Sequence, residues 1–159
     1  MNLLLPSDIT KTVLNEKKTK NARVAKSDGS EFFLDLPHMN ADFPAGKIIL
    51  KLGDFGFYNK KTKNLDGAYG LRHIWDKHRT ELGATSAEDI VIFLESILLV
   101  GAEVLIDAKK GPNKAIIVES GTGMMILELK KPHGEEPYYS IVTAYDRKSH
   151  PGVKVHTLI

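Results

Sequence analysis

The chain has 159 residues, of which 42% are hydrophobic and 26% charged, with a net charge of +2 and no cysteine. That is enough for one globular unit with a real core and too little for two comfortable ones; it excludes a disulfide scaffold, cysteine redox chemistry and a disordered polyelectrolyte. The longest apolar run, Ile90 to Val100, is broken by Glu95 and falls well short of the roughly 20 residues of a membrane span, and the start, Met1 to Pro6, lacks the basic and apolar regions of a signal peptide.

In chain order, Ser7 or Asp8 to about Lys18 reads as a short capped helix. Ala22 to Lys26 and Glu31 to Leu36 read as one hairpin around Ser27-Asp28-Gly29-Ser30, Pro37 to Gly46 as loop, and Lys47 to Leu52 as a further strand. Residues 53–69 carry Gly53, Gly56, Gly67 and the run Asn59-Lys60-Lys61-Thr62-Lys63-Asn64, a basic loop able to contact phosphate. Its glycines match neither GxxxxGK[ST] nor GxGxxG.

The next segment, Gly70-Leu71-Arg72-His73-Ile74-Trp75-Asp76-Lys77-His78-Arg79, is helical in pattern. At about 100° per residue, Leu71, Ile74, Trp75 and Leu82 form one stripe, Arg72, His73, Asp76 and Lys77 take the other side, and His78 falls within the stripe. The two histidines diverge by roughly 140°. They are expected to point apart, one toward a cleft and one toward the core. Gly83 is placed to end this helix, and Thr85 or Ser86, with Glu88 or Asp89, to cap a second. Apolar on nearly every side from Ile90 to Val100, the second helix reads as a buried spine.

The remainder reads as strands: Glu103–Asp107, Lys114–Glu119, Met124–Leu129, Tyr138–Tyr145 and Val153–Leu158, separated by turns rich in glycine and proline. Short turns imply antiparallel neighbours. The expectation is therefore an α+β domain with N-terminal helices packed on an antiparallel sheet of four to five strands. Residues 1–66 form a helix and hairpin segment of the same globular unit, ahead of a core at 67–159.

Charge is segregated: residues 11–26 carry a net +5 and residues 60–81 a net +3, whereas residues 84–107 hold five acids and no base. Such a distribution either makes a positive face for a polyanion or is simply a solvated lysine-rich surface. RNA supplies its own nucleophile, the 2′-hydroxyl, so cleaving it needs only a base, an acid and donors for the phosphorane charge. His73, between Arg72 and Lys77, is the first candidate for acid or base, and those cations should lower its pKa. His78 reads as a core histidine bonded to the sheet unless the stripe lines the cleft. Alternation puts Tyr139, Ile141, Thr143 and Tyr145 on one strand face. The Thr143 and Tyr145 hydroxyls are suited to gripping phosphate, and Arg147 adds charge just beyond them. Lys114, at a strand start, is a weaker phosphate candidate. Spacing of i, i+5 and the lack of cysteine argue against zinc. No GxSxG, CxxC or kinase motif set occurs.

Gly70-Leu71-Arg72-His73-Ile74 with His78, then a buried helix and a strand reading Ile141-Val142-Thr143-Ala144-Tyr145, resembles the toxin nucleases of the barnase, EndoU, colicin and RelE-like superfamily. The likeness is to the phage-associated and contact-dependent inhibition branches and covers roughly residues 67–159. It implies an endoribonuclease that uses no metal or other cofactor and acts on RNA, often tRNA, but not on DNA. His73, His78, Thr143 and Tyr145 would be catalytic; Arg72, Lys77, Lys114 and Arg147 would bind substrate. It further implies delivery as the C-terminal part of a larger effector, action in the target-cell cytoplasm, and a cognate immunity protein. The rival reading is a non-catalytic RNA- or protein-binding module using the same basic face, which would bind in a salt-dependent way without turnover. An immunity or phage structural protein is a third.

Overall fold

The computed structural model describes residues 3–106, 115–146 and 152–159. Its centre is β4 (Gly46–Lys51), whose Ile48, Ile49 and Leu50 are fully buried. A run of apolar residues without alternation is what a strand covered on both faces requires. Two short strands, β2 (Arg23–Val24) and β3 (Leu34–Leu36), both pair antiparallel with β4, and β1 (Leu3–Leu4) runs parallel to β2. The expected hairpin between the second and third strands does not form, because each finds its hydrogen bonds on β4 instead.

A 3-10 turn (Pro6–Asp8) and a four-residue helix α1 (Lys11–Leu14), capped by Thr10, occupy the place of the longer helix expected at the start. The presumed basic loop folds partly into a two-stranded ribbon, β5 (Phe57–Asn59) with β6 (Asn64–Asp66). Two helices follow. The first, α2 (Gly70–Leu82), ends at left-handed Gly83; the second, α3 (Ala87–Ile97), is capped by Ser86 Oγ, which accepts from Asp89 N at 3.3 Å. Ala87, Ile90, Val91, Leu94 and Ile97 of α3 are fully buried, whereas Ile92 is 55% exposed, so this helix has one open side.

Strands β7 (Glu103–Ile106), β8 (Ile116–Glu119), β9 (Met124–Lys130) and β10 (Tyr138–Tyr145) form the antiparallel meander that their β-branched residues foreshadow, and β11 (Val153–Thr157) adds to β7. The order across the sheet is β1-β2-β4-β10-β9-β8-β7-β11, with β3 also on β4. Strand β10 joins the meander to the N-terminal strands by pairing parallel with β4, Tyr139 opposite Ile48.

This corrects the expected fold. Among the described residues the fold is mixed α/β, 22% helix and 35% strand, with one nine-stranded mixed sheet and few helices rather than helices on four or five antiparallel strands. Short strands such as β1 and β2 carry too few residues to show a period, and a parallel partner far away in sequence leaves no turn signal. No helix among the described residues is long and apolar enough to cross a membrane.

Candidate functional site

Where α2 begins is fixed by backbone packing. Gly70 has φ +78, and a Cβ there would lie 2.5 Å from the Lys51 carbonyl oxygen. Arg72 N donates to Leu52 O at 2.8 Å, which ties the first turn to the end of β4. The helix thus lies along β10 with its register set.

The two imidazoles meet. His73 and His78 have ring centroids 5.6 Å apart at an interplanar angle of 85°, although their positions are separated by about 7.5 Å of helix rise. Their opposed phases, each about 70° from a shared midline, leave on that midline only Gly70 and Glu81. Both side chains lean across it toward each other, so the expectation that they point apart is corrected. On the strand side, the Tyr145 ring lies 4.6 Å from His78, edge to face at 78°. His73, His78 and Tyr145 form one continuous row.

Among the described residues, the hydrogen bond of His78 is made within its own helix rather than to the sheet. Its Nδ1 donates to Glu81 Oε1 at 2.5 Å, an i, i+3 contact on its own helix. The other carboxylate oxygen of Glu81 accepts from Asp146 N at 3.4 Å, joining the end of α2 to the end of β10. Burial pushes the Glu81 carboxyl up, but the bonds from His78 and Asp146 outweigh it and hold the group below its ordinary value. Sequence reading missed Glu81. The signal was there, a carboxylate three residues after a histidine on a helix.

His73 is pulled down from 6.5 to about 4, first by burial and then by the charge of His78, with Asp76 acting in the opposite sense. Its environment lowers the pKa as anticipated in direction; desolvation is the main cause, and the charge of Lys77, one of the cations expected to act, adds a smaller lowering. Among the described residues, His73 Nδ1 and Thr143 Oγ1 are buried without a hydrogen-bond partner, one on each of the two elements that face each other here.

Thr143 and Tyr145 reach this place through a β-bulge. Opposite β9, Ile141 pairs with Leu127 and Thr143 with Ile126, so Val142 is the extra residue. The phase of alternation flips there: Tyr139, Ile141 and Ala144 join the main core, while Tyr145 packs on the second cluster with Leu105, Ile117 and Met124. The expectation that Tyr139, Ile141, Thr143 and Tyr145 share one face is therefore corrected. Gly123 admits the end of the strand, since a Cβ there would lie 2.4 Å from Tyr145 O.

Of the expected phosphate-binding residues, Arg72 and Lys77 are described. Arg72 is fully buried, and its guanidinium donates to Val13 O at 2.9 and 3.0 Å, Lys18 O at 2.6 Å and Gly53 O at 3.1 Å. It clamps the segment around α1 to α2 and presents nothing to a ligand. Lys77 is exposed, 3.8 Å from Asp76. Lys114 and Arg147 lie outside the described residues. Among the described residues no three His, Asp or Glu side chains converge to hold a metal ion.

No family model, no curated protein and no solved structure matches this chain.

Proposed function

We propose that the protein is an endoribonuclease that cleaves RNA by proton transfer at His73 and His78, with tRNA as the substrate class and with the toxin nucleases that its helix and strand motifs resemble as its kin. What carries the reading is the unbroken row of His73, His78 and Tyr145 at 5.6 and 4.6 Å, backed by Glu81. Two ring nitrogens so placed, each with a reach of about 3 Å, can touch two oxygens of a single phosphate.

His73, unprotonated at neutral pH, takes the proton of the 2′-hydroxyl as its oxygen attacks phosphorus. A charge on His78 disfavours a second proton on His73, which keeps one imidazole as base while the other acts as acid. Glu81 holds the Nδ1–H tautomer of His78 and offsets the charge the ring carries when Nε2 is protonated. His78 then gives that proton to the departing 5′ oxygen. The products are a 2′,3′-cyclic phosphate and a 5′-hydroxyl end. The hydroxyls of Thr143 and Tyr145 would hold charge on the phosphorane, Thr143 Oγ1 once bound substrate opens its buried site. Delivery within a larger effector and control by an immunity protein belong to the same proposal and rest on the motif resemblance alone.

The test is incubation of purified protein with tRNA in the presence of EDTA. The expected result is cleavage with cyclic-phosphate ends, reduced by about 10²–10⁴-fold in His73→Ala and in His78→Ala. Undiminished cleavage in both variants, or cleavage abolished by the chelator, overturns the mechanism.

A further inference from the structure

On the face of β10 that carries Ser140 and Val142 lies an open groove of about 520 Å³. Lys20, Lys51 and Lys130 line it, and Tyr69 forms a wall. Tyr69 is held in place by its hydroxyl, which bonds Asn21 Oδ1 at 3.0 Å, and Lys51 Nζ donates to Tyr138 OH at 2.9 Å. One carboxylate opposes the lysines: Glu128 lines the same groove and pairs with Lys130 at 3.0 Å.

Two elements lead from this groove to the imidazoles. Along the strand, Ser140 and Val142 floor the groove, and the bulge at Val142 turns Thr143 and Tyr145 onto their side. Along the helix, Tyr69 is the residue that precedes α2, about 6 Å of helix rise before His73. A bound strand entering the cleft from this side must cross the lysines.

We propose that this groove is the subsite for the nucleotide next to the scissile phosphate, with a backbone phosphate on Lys20 and Lys51 and a base against the Tyr69 ring. The inference rests on the ribonuclease reading and adds a direction to it: the RNA runs along β10 from the Tyr145 end toward Tyr138. Lysines supply sequence-independent phosphate contacts and a tyrosine face accepts any base, so the subsite selects single-stranded chain length rather than sequence.

Binding of a fluorescent 2′-O-methyl RNA octamer, which has no free 2′-hydroxyl to attack, reads the groove without turnover. Lys20→Gln/Lys51→Gln should weaken binding roughly tenfold or more at low salt and make the slope of log affinity against log salt shallower by about 1.4, while Glu128→Gln should tighten binding. Wild-type affinity and slope in the double variant, or no binding by the wild type, overturns the subsite. Polyglutamate competing as well as RNA, and losing its grip equally in the double variant, overturns the assignment to RNA. Failure of the nuclease reading is seen separately: a protein that binds the octamer through Lys20 and Lys51 yet cuts no RNA keeps the groove and loses the chemistry.

Discussion

Arg72 and His73 are successive residues of α2, and both carry nitrogen atoms into the interior, but their surroundings are opposite. The guanidinium of Arg72 finds three backbone carbonyls, on Val13, Lys18 and Gly53, at 2.6 to 3.1 Å. The imidazole of His73 is desolvated with Nδ1 unpartnered, beside a second imidazole. A buried polar group that is fully satisfied holds structure together. One that is left short is a cost to folding, and such costs gather where chemistry is done.

The comparison is broken most forcefully at Arg72. Arg72→Ala leaves those carbonyls facing a void and should lower stability by about 3–5 kcal/mol in urea unfolding. An Arg72 variant of wild-type stability that loses only the proposed RNA cleavage would move the residue back among the proposed substrate contacts.

The His73 side shows itself in pH. With its pKa lowered from 6.5 to about 4, the folded protein refuses a proton that the unfolded chain accepts, so the contribution of His73 to stability is complete above pH 6.5 and is lost as pH falls toward 4. The loss amounts to at most about 3 kcal/mol. In His73→Gln this part of the acid sensitivity should vanish, seen as a smaller drop in urea midpoint across that window than in the wild type. Identical pH profiles would show that His73 is as solvated as in the open chain.

The smallest effect is expected at Thr143. Removing its unpartnered buried hydroxyl in Thr143→Val should raise stability by about 1 kcal/mol while slowing the proposed RNA cleavage. A destabilised Thr143→Val would mean the hydroxyl is already satisfied in the resting protein.

Much of α2, α3 and the meander is legible in the sequence, because helical phase, caps and β-branched runs act within one element. The helix histidines and the Thr143-Tyr145 pair stand out for the same reason. What hides is whatever depends on two distant segments: β2 and β3 both choosing β4, the parallel pairing of β4 with β10, and the carbonyls that claim Arg72. The bulge at Val142 hides too, since a single unpaired residue reverses alternation without any turn residue to announce it. Lys114 and Arg147, singled out on charge alone, fall outside the described residues.

The parallel pairing of β4 with β10 makes the molecule indivisible at the point where its motifs begin. A fragment starting at residue 67 would possess every histidine and hydroxyl of the candidate site, yet β10 would become an unprotected border with a row of bare amides and carbonyls, prone to stick to any other extended chain. For this protein, the smallest self-sufficient piece is larger than the stretch that bears its helix and strand motifs.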